Sequence, residues 1–347
     1  MRLNSTVPGR RLEEAGKPEF SEQLLGLYSE ASSRGNGGRG KLMSLGSEAR
    51  ETMERRDTTE APQRDYSSPL PRMDFTVPQG DPGLLGPNSM GWKVSANPIV
   101  SAVGGIAAVI LELAEKHVRA GVWDHSTFKV DPIRRMERTG MAAAAVTYGP
   151  TKMAQQTFDR VTRMHQRVTG TTHDGDAYRA MEPSLLTWVH VTAAWGFLNA
   201  YKRYANPKLS REDEDRYYRE GEVIGKGFGA EWVPTSMIEM DAYMTEMTPK
   251  LYANDTVHEF LELVRNATPL GSAGKPVQRL ITQAAIDLLP KHLQEQCGVA
   301  VSPAARPMVR PAVRALANTA SFAMRFATNS PAHQACRRMG VSTDCLR

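Results

Sequence analysis

From Asn97 onward the apolar residues of this chain recur at alternating three- and four-residue steps, and no run alternates every second residue. That period places one stripe of side chains along a helix face, whereas a half-buried strand needs a period of two. In Pro98 to Val118 the stripe is Ile99, Val103, Ile106, Ile110, Leu113 and His117. The longest apolar run, Pro98 to Leu111, carries Gly104 and Gly105 and stops at Glu112, so it reads as a buried core helix too short for a membrane span. A second helix is expected over Asp131 to Tyr148, with Asp131 as N-cap and Pro132 at its first position. A third, Thr151 to Thr169, puts Ala154, Phe158, Val161, His165 and Val168 on one stripe, with Gly170 as its stop. Further helices fit Pro183 to Tyr204, Ser210 to Ile224, Ser236 to Met247, Asn254 to Asn266, Val277 to Glu295 and Arg310 to Phe326. The expected fold is all-α: a single multi-helix domain without internal repeats.

Residues 1–88 differ in kind. They are rich in Arg, Glu, Ser, Gly and Pro, and almost no apolar run exceeds three residues. Such a segment buries too little to offset its ordering entropy, so a largely disordered leader is expected, with one short amphipathic helix around Phe20 to Glu30. The domain is then expected over 89–335, followed by a flexible tail at 336–347. The basic start has no apolar stretch behind it and does not read as a secretory signal.

The net charge of +5 is spread over interleaved Lys, Arg, Asp and Glu. A nucleic-acid footprint would cluster its cations, so no nucleic-acid partner is expected. Three cysteines, Cys297, Cys336 and Cys345, form no CxxC pair; a reducing, cytoplasmic setting is expected, with peripheral membrane association left open. The absence of CxxCH excludes covalent haem attachment. No Glu-x-x-His pair exists for a carboxylate-bridged di-iron bundle, and Cys297 lacks the Gly-rich loop of a thiolate haem protein. The segment VIGKGFGAEWV (Val223 to Val233) imitates a kinase glycine-rich loop. It is one residue short and has no VAIK, HRD or DFG after it, so it reads as the end of a helix.

His165 has two readings: a core histidine satisfied by a carbonyl, or a metal or haem ligand in an apolar pocket. His117 holds the same kind of position, and His125 and His190 complete a candidate metal cluster. Arg135 and Thr139, four residues apart, share a helix face. They form either a solvated basic turn with Arg134 and Arg138, or a clamp for a haem propionate or polarised dioxygen.

Four segments in order carry a resemblance: LELAEKHVRAGVWDHSTFKVDPIRRMERT, YGPTKMAQQTFDRVTRMHQRVTG, DGDAYRAMEPSLLTWVHVTAAWGF and the looser GEVIGKGFGAEWVPTSMIEMDAY. Together they resemble the domain shared by MpaB-type oxygenases and the latex-clearing rubber oxygenase. The resemblance implies an all-helical protein binding non-covalent haem b. Its proximal histidine falls on His165, in His-x-x-Val-x-Gly, and its Arg-x-x-x-Thr pair on Arg135 and Thr139. Arg138 stands where the rubber oxygenase has a lysine that caps the iron; a guanidinium stays protonated and cannot do so. The family's His-Pro is His117-Val118 here, and its catalytic glutamate falls on Glu112 or Glu115 without a choice between them. The implied function is oxidation of an apolar, isoprenoid- or lipid-like substrate by dioxygen, with cleavage of a C=C bond, and a redox partner left unnamed. Two alternatives stand beside it: a haem-free histidine metalloprotein, and a non-catalytic haem-binding paralogue.

Overall fold

A computed structural model describes residues 73–125, 127–267 and 272–347. The expected helix at Phe20 to Glu30 and most of the expected leader lie outside the described residues. The rest is all-α, with one small hairpin.

Two helices make the centre: α2 (Pro98–Ala114) and α6 (Pro183–Tyr204), preceded by the short α1 (Met90–Ser95). Asn97 caps α2 by accepting from the Ile99 and Val100 amides, and Pro98 follows at the first position. Both helices are apolar around most of their circumference because they are covered on several sides. They meet backbone to backbone at Gly104 and Gly196. A Cβ on Gly104 would stand 2.8 Å from the Gly196 carbonyl oxygen, and one on Gly196 would stand 2.4 Å from that of Gly104. The core of Ile99, Val103, Ile106, Ile110, Trp188, Val191 and Leu198 closes around this crossing.

The first expected helix breaks at Glu115, whose extended backbone (φ −87, ψ 130) bridges Leu251. The Glu115 carboxylate accepts the Val118 amide at 2.7 Å and so restarts the chain as α3 (Lys116–His125). His117 therefore leaves the stripe that sequence periodicity gave it. Helix α4 (Pro132–Tyr148) begins as expected, the Asp131 side chain accepting from the Arg134 amide at 3.1 Å.

Helix α5 (Thr151–His165) stops four residues before the expected end. Thr169–Thr171 instead forms β1, antiparallel to β2 (Ala177–Arg179). Gly170 is required there because a Cβ would stand 2.7 Å from the Tyr178 hydroxyl. The turn runs through Asp174-Gly175, with Gly175 at φ +90. That dipeptide is a hairpin signal which the helical period on either side had obscured.

The remaining helices are α7 (Arg211–Gly227), α8 (Met237–Met247), α9 (Asp255–Asn266), α10 (Lys275–Leu288), α11 (Lys291–Gln296), α12 (Arg306–Met324) and α13 (Pro331–Met339). Ser210, Ser236 and Asn254 cap α7, α8 and α9. The single helix expected over Val277 to Glu295 is split at Pro290, with Leu289 extended before it. The kinase-like glycines end α7: Gly225 and Gly227 lie in its last turn, and Gly229 (φ +99) turns the chain out.

Both expected boundaries move. Residues 73–88 are docked rather than loose, with Phe75 buried against Trp92, Tyr148 and Cys336. The expected tail after 335 lies inside α13 and beyond it, and Arg338 is 1% exposed. Its guanidinium donates to the Asp81, Phe75 and Tyr148 carbonyls, each at 2.7 Å. One cation thus joins the first described segment, α4 and the C terminus. Composition windows average over such a contact and miss it. No helix among the described residues is long and apolar enough to cross a membrane.

Candidate active site

The first turns of α4 carry the sequence-picked cations. Phe128, buried and edge-on to Phe260, lies beneath the Arg135 guanidinium, 5.1 Å from ring centroid to Cζ. Arg135 also donates to the Thr139 hydroxyl, which in turn donates to the Arg135 carbonyl at 2.9 Å. The two residues are thus hydrogen-bonded to each other on one helix face, with Thr139 exposed. Arg138 turns aside and donates to the Thr127 hydroxyl at 2.8 Å.

Arg135 is no ordinary surface arginine. Desolvation is the largest influence on it and depresses its pKa; the Glu112 carboxylate works against that, and Arg138 adds to it. Glu112 stands in the last turn of α2. Desolvation pushes its carboxyl up to about 7, against the opposing pull of Arg135 and a hydrogen bond from Thr192. The Thr192 hydroxyl is 3.3 Å from Glu112 and 2.9 Å from the Val189 carbonyl. It has one proton to give, and the shorter contact takes most of it, which leaves the carboxylate weakly solvated.

His165 closes α5. Its Nδ1 is buried and has no hydrogen-bond partner among the described residues. Desolvation, then the charge of Arg135, lowers its pKa, so the imidazole is neutral at neutral pH. Arg135 is thus the charge that acts electrostatically on both Glu112 of α2 and His165 of α5. A neutral imidazole with an orphaned nitrogen, a desolvated guanidinium and a half-protonated carboxyl form a site that can ligate, bind an anion and hold a proton. A buried unpaired polar nitrogen costs about 1–3 kcal/mol, which a group able to bond to it would relieve.

The other histidines do not join it. His117 Nδ1 lies 2.9 Å from Glu115, and His125 Nε2 lies 3.2 Å from the Tyr178 hydroxyl. His190 faces α7, where Gly221 and Gly225 make room for its ring, and burial pushes its pKa down to about 4. No group of three or more His, Cys, Asp or Glu positioned for a metal ion exists among the described residues. The expected cluster of His117, His125, His165 and His190 is therefore not assembled, because the rings of His117, His125 and His190 are each engaged elsewhere.

The structure also separates the two glutamates that sequence left equal. Glu115 is consumed in starting α3, while Glu112, one turn earlier, is the carboxylate that acts on the charge of Arg135. The signal was present but faint: Glu115 precedes Lys-His-Val in the position of a cap, and Glu112 does not.

No curated protein and no solved structure matches the chain. The profile of one family does, described as ER-bound oxygenase mpaB/B′/rubber oxygenase, catalytic domain, and it aligns with residues 92–322. That span takes in α2 through most of α12, and with them Glu112, Arg135, Thr139 and His165. The chain belongs to the MpaB/rubber oxygenase catalytic-domain family.

Proposed function

We propose that this protein is a haem b-dependent oxygenase in which His165 binds the iron and Arg135 and Thr139 flank the cofactor. One observation carries the reading: the buried, neutral, unpartnered Nδ1 of His165. A buried ring nitrogen without a partner is open to a ligand that would bond to it. The donor set suits this cofactor better than a bare metal ion, because a single imidazole suffices for a haem iron while an isolated ion needs three or four protein ligands.

When bound, the haem supplies the redox chemistry that activates dioxygen. The chain's own residues do the rest. Arg135, fixed by Thr139 and Phe128, presents a desolvated positive charge suited to a propionate or to negative charge developing on the reacting oxygen. Glu112, with a pKa of about 7, is populated in both protonation states at neutral pH and is the group able to take or return a proton at its carboxylate oxygens. His165 stays neutral because burial first, and the charge of Arg135 second, oppose its protonation. The substrate is apolar, of isoprenoid or lipid type, and the reaction is oxidative cleavage of a C=C bond. The family's description as a rubber oxygenase supports that choice.

The test is the absorption spectrum of the purified protein after reconstitution with haemin, before and after dithionite. A Soret band is expected for the wild type. His165→Ala should lose it while keeping the helical far-ultraviolet signal. A full Soret band in the variant, or none in the wild type, would refute the assignment. Dioxygen uptake with an isoprenoid substrate separates a catalyst from a haem-binding paralogue that does no chemistry.

A further inference from the structure

The chain ends in a feature that the oxygenase reading does not use. Cys336 lies on α13 and is 1% exposed; Cys345 lies in the 3-10 turn Thr343–Leu346 and is partly exposed. Their Sγ atoms are 3.6 Å apart as thiols. Between them Gly340 (φ +64) caps α13 in the left-handed region and turns the chain back, with the Val341 amide donating to the Cys336 carbonyl at 3.0 Å. Ser342 then caps the final turn by accepting the Asp344 amide at 3.2 Å. The backbone thus holds two sulfurs in contact without a bond between them.

We propose that Cys336 and Cys345 are a reversible dithiol–disulfide pair whose oxidation fastens the C-terminal turn onto α13. A disulfide needs about 2.05 Å between sulfurs, so closure requires a shift of roughly 1.5 Å, within reach of a rotamer change at Cys345 on its partly exposed turn. The closed bond lands in a sensitive place. Cys336 packs with Phe75, Trp92 and Tyr148, and Arg338, two residues on, holds the Phe75, Asp81 and Tyr148 carbonyls. Oxidation therefore clamps the junction between residues 73–83, the end of α4 and the C terminus.

The chemistry balances with a small disulfide such as oxidised glutathione. The more accessible Cys345, as thiolate, attacks one glutathione sulfur, breaks the S–S bond and releases one glutathione thiolate. Cys336 gives up its proton, attacks Cys345 Sγ and expels the second glutathione. Two protein thiols are oxidised and one glutathione disulfide is reduced to two thiols. Cys336 is the slower partner, because burial first and Cys345 second push its thiol up to about 12. Cys297 is fully buried within the main core and its thiol is likewise pushed up by burial, which leaves it out of the exchange.

The full-length protein is equilibrated with reduced or oxidised glutathione, denatured, alkylated and weighed intact. The reduced sample should take up three alkyl groups, one for each cysteine. The oxidised sample should take up one, mapped to Cys297, with the tryptic peptides of Cys336 and Cys345 joined and released by dithiothreitol. Oxidation should also raise the thermal midpoint of the wild type and leave Cys345→Ser unmoved. Three alkyl groups in oxidised glutathione, a persistent glutathione adduct on Cys345 with Cys336 free, or a bridge to Cys297 would each overturn the pair. An unchanged thermal midpoint on bridging would overturn the clamp.

Discussion

Replacing Glu112 by Gln tests whether the site holds a carboxyl against its own preference. The folded state raises the Glu112 pKa from 4.5 to about 7. A carboxyl whose folded pKa lies above its unfolded value contributes its stability below the unfolded pKa and loses it as pH rises through the folded one. Between pH 4.5 and 7 the unfolded chain releases a proton that the folded chain keeps, so folding becomes progressively less favourable. The shift corresponds to at most about 3 kcal/mol at 1.36 kcal/mol per pKa unit. Gln keeps the shape and the Thr192 contact but cannot ionise. Glu112→Gln should therefore match the wild type below pH 4.5 and exceed it by about 2–3 kcal/mol above pH 7, while losing oxygenase turnover. The assay is urea unfolding followed by circular dichroism at a series of pH values, reported as the difference between the two proteins so that other titrating groups cancel. A constant difference across that range would show that Glu112 is not destabilised where it sits, and the proton role would fall with it. A stabilised variant with full turnover would keep the electrostatics and refute only the role.

Two further outcomes follow from packing. Gly227→Ala places a Cβ 2.3 Å from the Phe158 ring, so α7 must move off α5; a loss of about 1–3 kcal/mol in urea unfolding is expected, and a neutral change would show that the ring swings aside freely. A chain beginning at Pro87 loses Phe75 and the Asp81 and Phe75 carbonyls that Arg338 binds. It should lose about 3–5 kcal/mol from the ring alone, read in the same assay, whereas composition alone implied a harmless cut.

Helix period and capping residues were enough to place α2, α4, α6, α7, α8 and α9, because in those segments local preference and burial agree. Two departures have local causes, Pro290 and the Asp174-Gly175 turn, and the others come from long-range contacts. The break at Glu115 depends on Leu251, far along the chain, and the docking of 73–88 depends on Arg338 at its other end. At the site, Arg135 and Thr139 could be paired from their spacing, since four residues make one helix face. Glu112 could not be chosen over Glu115, because the influence of Arg135 on Glu112 and the capping role of Glu115 both depend on the folded chain. His117 and His165 shared the same kind of stripe position in the sequence, and only their surroundings tell the four histidines apart: Glu115 for His117, the Tyr178 hydroxyl for His125, the glycines of α7 for His190, and for His165 Nδ1 no partner.

His190 offers the sharpest contrast with His165, since both are desolvated imidazoles and only one is assigned a ligand. Burial alone moves the His190 pKa from 6.5 to about 4. A histidine whose folded pKa lies below its unfolded value binds its proton first in the unfolded chain, so stability is lost as pH falls from 6.5 towards 4. The loss attributable to this ring is at most about 3 kcal/mol. His190→Leu removes the titration and keeps an apolar group against Gly225, where space is tight: a Cβ on that glycine would come within 3.0 Å of the ring. The variant should lose less stability than the wild type over that interval, whatever fixed cost the shape change adds. His165→Ala should also flatten the acid limb, but it alone should remove the Soret band, whereas His190→Leu should retain it. If His190→Leu abolished haem binding and left the acid limb unchanged, the roles of the two rings would have to be exchanged. Their difference rests on what surrounds them. The His190 ring is packed against a helix, whereas His165 Nδ1 is buried without a partner and its ring feels the charge of Arg135.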